Sequence, residues 1–339
     1  MNAERRNGAQ EPIRLSDHFS YGRLIRFTMP TIIMMIFTSI YGVVDGLFVS
    51  NAVGKTEFAA LNFIFPFIMV LGGAGFMIGT GGTAQVAQQL GRGNKEKANR
   101  YFSMMVCFTV LLGILLAAIG IAVIRPVCVL LGATPEMMEG CVLYGRIVIA
   151  FTPAFMLQNV FQSFLAAAEK PKLGLFVTVA AGLTNAALDA LFIVGFRWGL
   201  AGAALATGIG QALSTGVCLV VYASTELPVR LRRACLKLDK ELDTRLYSIG
   251  IPAILNLALP SLLVTFLNSL LAAFSGSYVV VLGIYYKLQT FLYLPANGIV
   301  QGMRPLISYN YGAGEHKRVR QLYQITLILS AAIMAAGTL

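Results

Sequence analysis

The chain has 339 residues, with 26 Lys and Arg against 15 Asp and Glu, giving a net charge of +11. Hydrophobic residues make up 57% and charged residues only 12%, half the ~25% usual for soluble domains. That leaves too little polar surface to wrap a soluble particle of this size. A soluble enzyme and a disordered chain are both excluded, and a polytopic, all-α membrane protein remains.

A helix crossing needs about 20 mostly apolar residues. Eight runs qualify, at roughly 25–50, 57–82, 101–124, 142–167, 173–196, 201–223, 246–273 and 279–303, and a ninth begins near 321. Their continuous apolarity, without alternation, predicts helices rather than barrel strands. The segment ahead of the first run is polar and shows no cleavable signal. Five cysteines (Cys107, Cys128, Cys141, Cys218, Cys235) form no CxxC pair and read as small packing residues.

The basic residues lie between the runs, so the positive balance is a topology signal and no nucleic-acid partner is expected. One side collects 21 of them. They are Arg5, Arg6, Arg14, Arg23 and Arg26, then Arg92, Lys95, Lys97 and Arg100, then Lys170 and Lys172. Arg230, Arg232, Arg233, Lys237, Lys240, Arg245, Arg304, Lys317, Arg318 and Arg320 complete the set. The other side has only Lys55, Arg125 and Arg197, while Arg146 and Lys287 fall within runs. This split places the N-terminus in the cytoplasm.

The chain repeats itself. Leu24-Ile-Arg-Phe-Thr-Met-Pro30 returns as Leu246-Tyr-Ser-Ile-Gly-Ile-Pro252. Gly91-Arg-Gly-Asn-Lys-Glu-Lys-Ala98 returns as Gly312-Ala-Gly-Glu-His-Lys-Arg-Val319, at an offset that differs by a single position. Both copies start from the same side, so six-helix units repeat in parallel. The expected organisation is a cytoplasmic N-terminus over 1–23, an N-lobe over 24–223, a charged linker over 224–245 and a partial C-lobe over 246–339. Measured against its own repeat, the second unit is incomplete. A truncated product or partial sequence is the favoured reading, a natural nine-span protein the alternative.

Ionisable groups inside spans are costly and are functional candidates. Asp45 lies in the first span and Asp189 in the fifth, both toward the outer side of their helices. Asn185 and Tyr41 each precede one of these carboxylates by four residues and share its helix face. Thr207 lies in the outer half of the sixth span, so one cluster is geometrically possible. It would suit a proton or a sodium ion. Helix packing through hydrogen bonds is the plainer alternative. Lys287 in the eighth span could face the cleft or snorkel along its stem. The glycines Gly72, Gly73, Gly75, Gly79, Gly81 and Gly82 lack a phosphate-loop ending and read as close helix packing. Pro30, Pro252 and Pro260 read as kinks. His18 and His316 are isolated, and no metal or nucleophile constellation is present.

Together these landmarks resemble the multidrug and toxic compound extrusion (MATE) family. They are Met29-Pro30, the Asp45 segment, Gln88-Gln89-Leu90-Gly91-Arg92-Gly93, Glu169-Lys170-Pro171, Asn185 with Asp189, and Gly202-Ala-Ala-Leu-Ala-Thr207. Pro295-Ala-Asn-Gly298 through Gln301-Gly302-Met-Arg-Pro305 and Tyr309-Asn310-Tyr311-Gly312 are similar to the MepA-like bacterial branch. The resemblance implies two parallel six-helix lobes around a V-shaped cleft, the second incomplete here. It also implies a cation-coupled (H+ or Na+) multidrug antiporter of the bacterial inner membrane, exporting amphipathic, cationic compounds. No enzyme activity and no cofactor are expected, and a monomer in the lipid bilayer is. By resemblance the coupling site falls on Asp45, Asp189, Asn185, Thr207 and Tyr41. Lys287, Tyr286, Gln301 and Asn62 would line the substrate cleft, and no metal is expected beyond sodium at Asp45 and Asp189. The expected cycle has protonation neutralise the two carboxylates, bend the first helix and expel drug. A lipid-linked oligosaccharide flippase of the same fold and a non-transporting remnant are the rival readings.

Overall fold

The computed structural model describes residues 13–224, 227–230 and 276–338, with scattered positions between 248 and 270. Among the described residues every regular element is a helix. They are α1 (Tyr21–Ala52), α2 (Lys55–Gly91), α3 (Lys95–Leu131), α4 (Pro135–Ala150), α5 (Thr152–Ala167), α6 (Pro171–Asp189), α7 (Gly199–Ser224), α8 (Gly276–Gly312) and α9 (His316–Thr338). Most of the expected seventh run, with Pro260, lies outside the described residues, as does most of the 224–245 linker. The fold is the all-α helical bundle that the sequence predicts.

Local chemistry sets the helix ends. The Asn94 side chain accepts the Lys97 N–H at 3.1 Å and caps α3. Gly132, at φ 89°, ends the same helix in the left-handed region. Pro135, Pro153 and Pro171 open α4, α5 and α6 within the first turn, where no amide hydrogen is needed.

Two spans differ from their expected form. The run at 142–167 becomes α4 and α5, bent by 53° at the break. Pro153 explains it, because its ring clashes with the preceding turn and it has no N–H to donate. The apolarity of the run continues through the bend and conceals it. The fifth run ends in a π-helical turn, Ala190–Gly195, directly after Asp189. Pro30 lies inside α1.

Among the described residues, α1, α2, α3, α6 with its π-helical turn, α7 and α9 are each long and apolar enough to cross a bilayer. The bent α4–α5 pair counts as a further span. Outward faces carry exposed apolar side chains such as Val70, Phe176 and Leu130. Inside, the glycine-rich face of α2 meets α5. A Cβ on Gly75 would stand 2.7 Å from the Met156 Cα, so only glycine permits this approach. At the basic end of the first lobe, Phe102, Phe161, Phe164 and Tyr222 form one aromatic core, with Phe102 4.8 Å from both Phe164 and Tyr222. Leu227 and Val229, just past α7, are buried in that core. The Asn99 side chain holds the neighbouring Arg230 N–H at 2.7 Å.

The internal repeat is visible in backbone geometry. Gly93 and Gly314 both take φ 77°. Gly93 N–H donates to Leu90 O at 3.0 Å and Gly314 N–H to Tyr311 O at 3.2 Å. Asn94 N–H donates to Gln89 O and Glu315 N–H to Asn310 O in the same way. The two copies also meet. Gly91 presses on the Tyr309 backbone, and its repeat-mate Gly312 presses on the backbone of Gln88, the mate of Tyr309. A pseudo-two-fold axis therefore passes between the ends of α2 and α8.

A segment ahead of α1 lies across this basic end. Leu15 and Phe19 are buried with Leu306, Leu322 and Ile325. Leu15 N–H donates to Glu169 Oε1 at 2.7 Å, and Asn310 Nδ2 donates to Leu15 O at 3.2 Å. Arg318 Nη1 donates to Ser16 O, and Gln321 Nε2 to Phe19 O.

Candidate functional site

Asp45 approaches from α1 and Asp189 from the last residue of α6, and their carboxyls interact directly. Asp189 is fully buried and Asp45 half-buried. When both are ionised neither can donate a hydrogen bond. Accordingly Asp45 Oδ1 and both Asp189 oxygens are buried without a donor. Chemically, such a pair can share a proton or take a small monovalent cation.

The surrounding groups are polar and neutral. Tyr41, Asn185 and Thr207 line one small cavity together with Gln158 and Gln211. Asn185 Nδ2, Gln158 Oε1 and Gln211 Oε1 are buried and unpartnered. Tyr144, buried on α4, places its hydroxyl close to Thr207, Asp45, Asp189 and Tyr41. Of the five residues expected at the coupling site, Tyr41, Asn185 and Thr207 share one cavity, and Asp45 and Asp189 lie near Tyr41 and Tyr144 at its side. The π-helical turn follows Asp189 immediately and alters the hydrogen-bond ladder there, a local feature often found at functional sites.

Tyr144, Gln158 and Gln211 were not anticipated. Gln211 carried a usable signal, since it follows Thr207 by four residues on one helix face. Tyr144 carried none, because a tyrosine in an apolar run reads equally well as packing.

Of the expected cleft residues, the two whose side chains are described, Asn62 and Gln301, lie apart. Asn62 is exposed near the start of α2 and donates to its own helix, Nδ2 to Phe58 O at 2.7 Å. Gln301 lies in the basic half of α8 and lines a different cavity. Tyr286 and Lys287 are on α8, but their side chains lie outside the described residues. Arg304, counted with the basic side from the sequence, sits two turns inside the end of α8 and lines the same cavity as Gln301. Among the described residues no group of three His, Cys, Asp or Glu side chains is placed to hold a metal ion.

The family model described as MatE matches residues 30–191 and 252–339. The chain belongs to this transporter family. It is 26% identical over 315 residues to the multidrug export protein MepA of Staphylococcus haemolyticus, covering 92% of this chain and 69% of that protein. It is 24% identical over 317 residues to MepA of Staphylococcus aureus, covering 93% and 68%. A solved outward-facing multidrug resistance MATE transporter of the MOP superfamily superposes with a TM-score of 0.88 at 21% identity, covering 95% of this chain and 71% of that one. That likeness establishes the fold.

Proposed function

We propose that this MatE-family chain is a multidrug efflux antiporter of the bacterial cytoplasmic membrane, with the basic end in the cytoplasm. Entry of a proton or sodium ion at Asp45 and Asp189 drives export of amphipathic compounds. The carrying observation is the facing carboxylate pair, buried without donors beside Tyr41, Tyr144, Asn185 and Thr207. The multidrug export described for the two staphylococcal relatives supports the substrate class.

The physical logic is electrostatic. Two ionised carboxylates this close repel each other, and taking up one positive charge relieves that repulsion and gives the buried oxygens a partner. The membrane potential supplies about 2.3 kcal/mol per charge per 100 mV to bring the ion in. Helices α1 and α6 carry the pair, so neutralisation acts directly on how these two helices pack.

Transport in membrane vesicles under an imposed proton or sodium gradient tests this reading. Asp45→Asn combined with Asp189→Asn should abolish gradient-driven export while leaving the chain inserted. Export at the parent rate would overturn the coupling assignment. Ionophores that collapse one gradient at a time distinguish proton from sodium.

A further inference from the structure

A second cavity lies in the basic half of the molecule, between α1, α2, α5, α6 and α8, with about 610 Å³ of empty space including its mouth. It is separate from the carboxylate pair. Thr31, on its wall, precedes Asp45 on α1 by roughly 21 Å along the helix axis. Among the described residues its lining mixes hydroxyl and amide side chains with apolar ones and contains no acidic residue, and its one charged group is Arg304.

Among the described residues the Arg304 guanidinium makes one hydrogen bond, Nη1 to Thr80 Oγ1 at 3.3 Å, and no ion pair. A guanidinium presents five donors in a rigid fork. Holding it half-buried without a counter-charge is costly. Thr83 is a second, independent sign of a ligand. It is 4% exposed, lines the same cavity, and its Oγ1 has no partner.

The internal repeat sharpens the point. The offset that carries Gly91 onto Gly312 also pairs Thr80 with Gln301 and Thr83 with Arg304, and all four line this cavity. The first copy has a hydroxyl where the second has a cation. A wall that would otherwise be symmetric and neutral therefore carries one positive charge on one side.

We propose that this cavity binds an anionic amphiphile, with a carboxylate or phosphate head on Arg304 and Thr83 and the apolar part toward Met34 and Phe76. The proposal rests on the exporter reading and names a substrate class for it. Sequence resemblance points to cationic compounds, whereas the charge at this position selects acidic or zwitterionic ones.

The test uses two fluorescent probes with the same dodecyl tail, one ending in a carboxylate and one in trimethylammonium. Binding to the full chain is measured at equilibrium in phosphatidylcholine nanodiscs, without an ion gradient. The carboxylate probe should bind about fivefold or more tightly than the ammonium probe. Arg304→Gln should weaken the carboxylate probe about tenfold and leave the ammonium probe unchanged or tighter, with Arg304→Lys intermediate. Thr83→Ala should weaken only the carboxylate probe and gives a second reading should Arg304→Gln fail to fold. Equal affinities in the parent, or an Arg304→Gln chain that binds the carboxylate probe unchanged, would overturn the proposal. Phosphatidylglycerol discs identify the source of the anion. A lipid headgroup on Arg304 competes with the probe in the parent only, and a free acid leaves its affinity as it was, both supporting the anion site. Because no gradient is present, loss of ion coupling alone leaves these affinities intact.

Discussion

At the scale of single residues, Tyr144 brings the most to the candidate site. Its hydroxyl lies close to Thr207 and to the two carboxylates from a buried position. Tyr144→Phe preserves the ring and removes that hydroxyl. A net hydrogen bond contributes about 1 kcal/mol, so the apparent affinity for the coupling ion should fall roughly fivefold. Export measured against proton or sodium concentration would show this as a shifted midpoint with a nearly unchanged maximum. The carboxylates themselves were legible in the sequence, because an Asp inside an apolar run has few explanations. Tyr144 was not, because hydropathy treats a tyrosine that hydrogen-bonds a site and one that fills a core alike.

At the scale of elements, the segment ahead of α1 makes a specific prediction. Asn310 is 1% exposed, and its Nδ2 holds both Leu15 O and Leu306 O. Asn310→Ala removes both bonds and should cost about 1–3 kcal/mol, seen as a lower melting temperature in detergent. A cysteine placed at Ser16 should then react faster with a membrane-impermeant thiol reagent. Apolar runs predicted each described span to within a few residues at most ends, since a bilayer requires continuous apolarity and leaves little choice. The bend before Pro153 and the π-helical turn after Asp189 were hidden for the same reason. Both rearrange backbone hydrogen bonds without changing which residues are apolar. The docking of 13–19 escaped because a short polar terminus has no periodicity from which to infer a partner.

At the scale of the whole molecule, the pseudo-two-fold contact determines how closely the lobes meet at the basic end. Gly91 and Gly312 each place bare backbone against the other copy. Gly91→Ala or Gly312→Ala inserts a methyl group into that contact and should cost about 1–3 kcal/mol of closure. Cross-linking across the α2 and α8 ends would read this as a shift toward the separated state. The two changes act on one contact, so the double variant should shift it by less than the sum of the singles. The repeat that predicts this symmetry was legible from two landmarks in the sequence. The Arg304 departure from it was masked, because a basic residue near a basic face looks like one more topology charge.

The bonds of Leu15 have a directional consequence. Its N–H is held by Glu169 of the first lobe, and its carbonyl by Asn310 on α8. When the lobes part, one grip must release first. On the α8 and α9 side, Leu15 and Phe19 are buried among apolar residues, and Ser16 and Phe19 are also tethered through Arg318 and Gln321. On the other side the Glu169 carboxylate holds the Leu15 amide, while Phe19 packs edge-on against Phe27 at the start of α1. The Glu169 bond, the one that ties Leu15 to the end of α5, is therefore the contact expected to break when α5 draws away, leaving residues 13–19 with α1, α8 and α9.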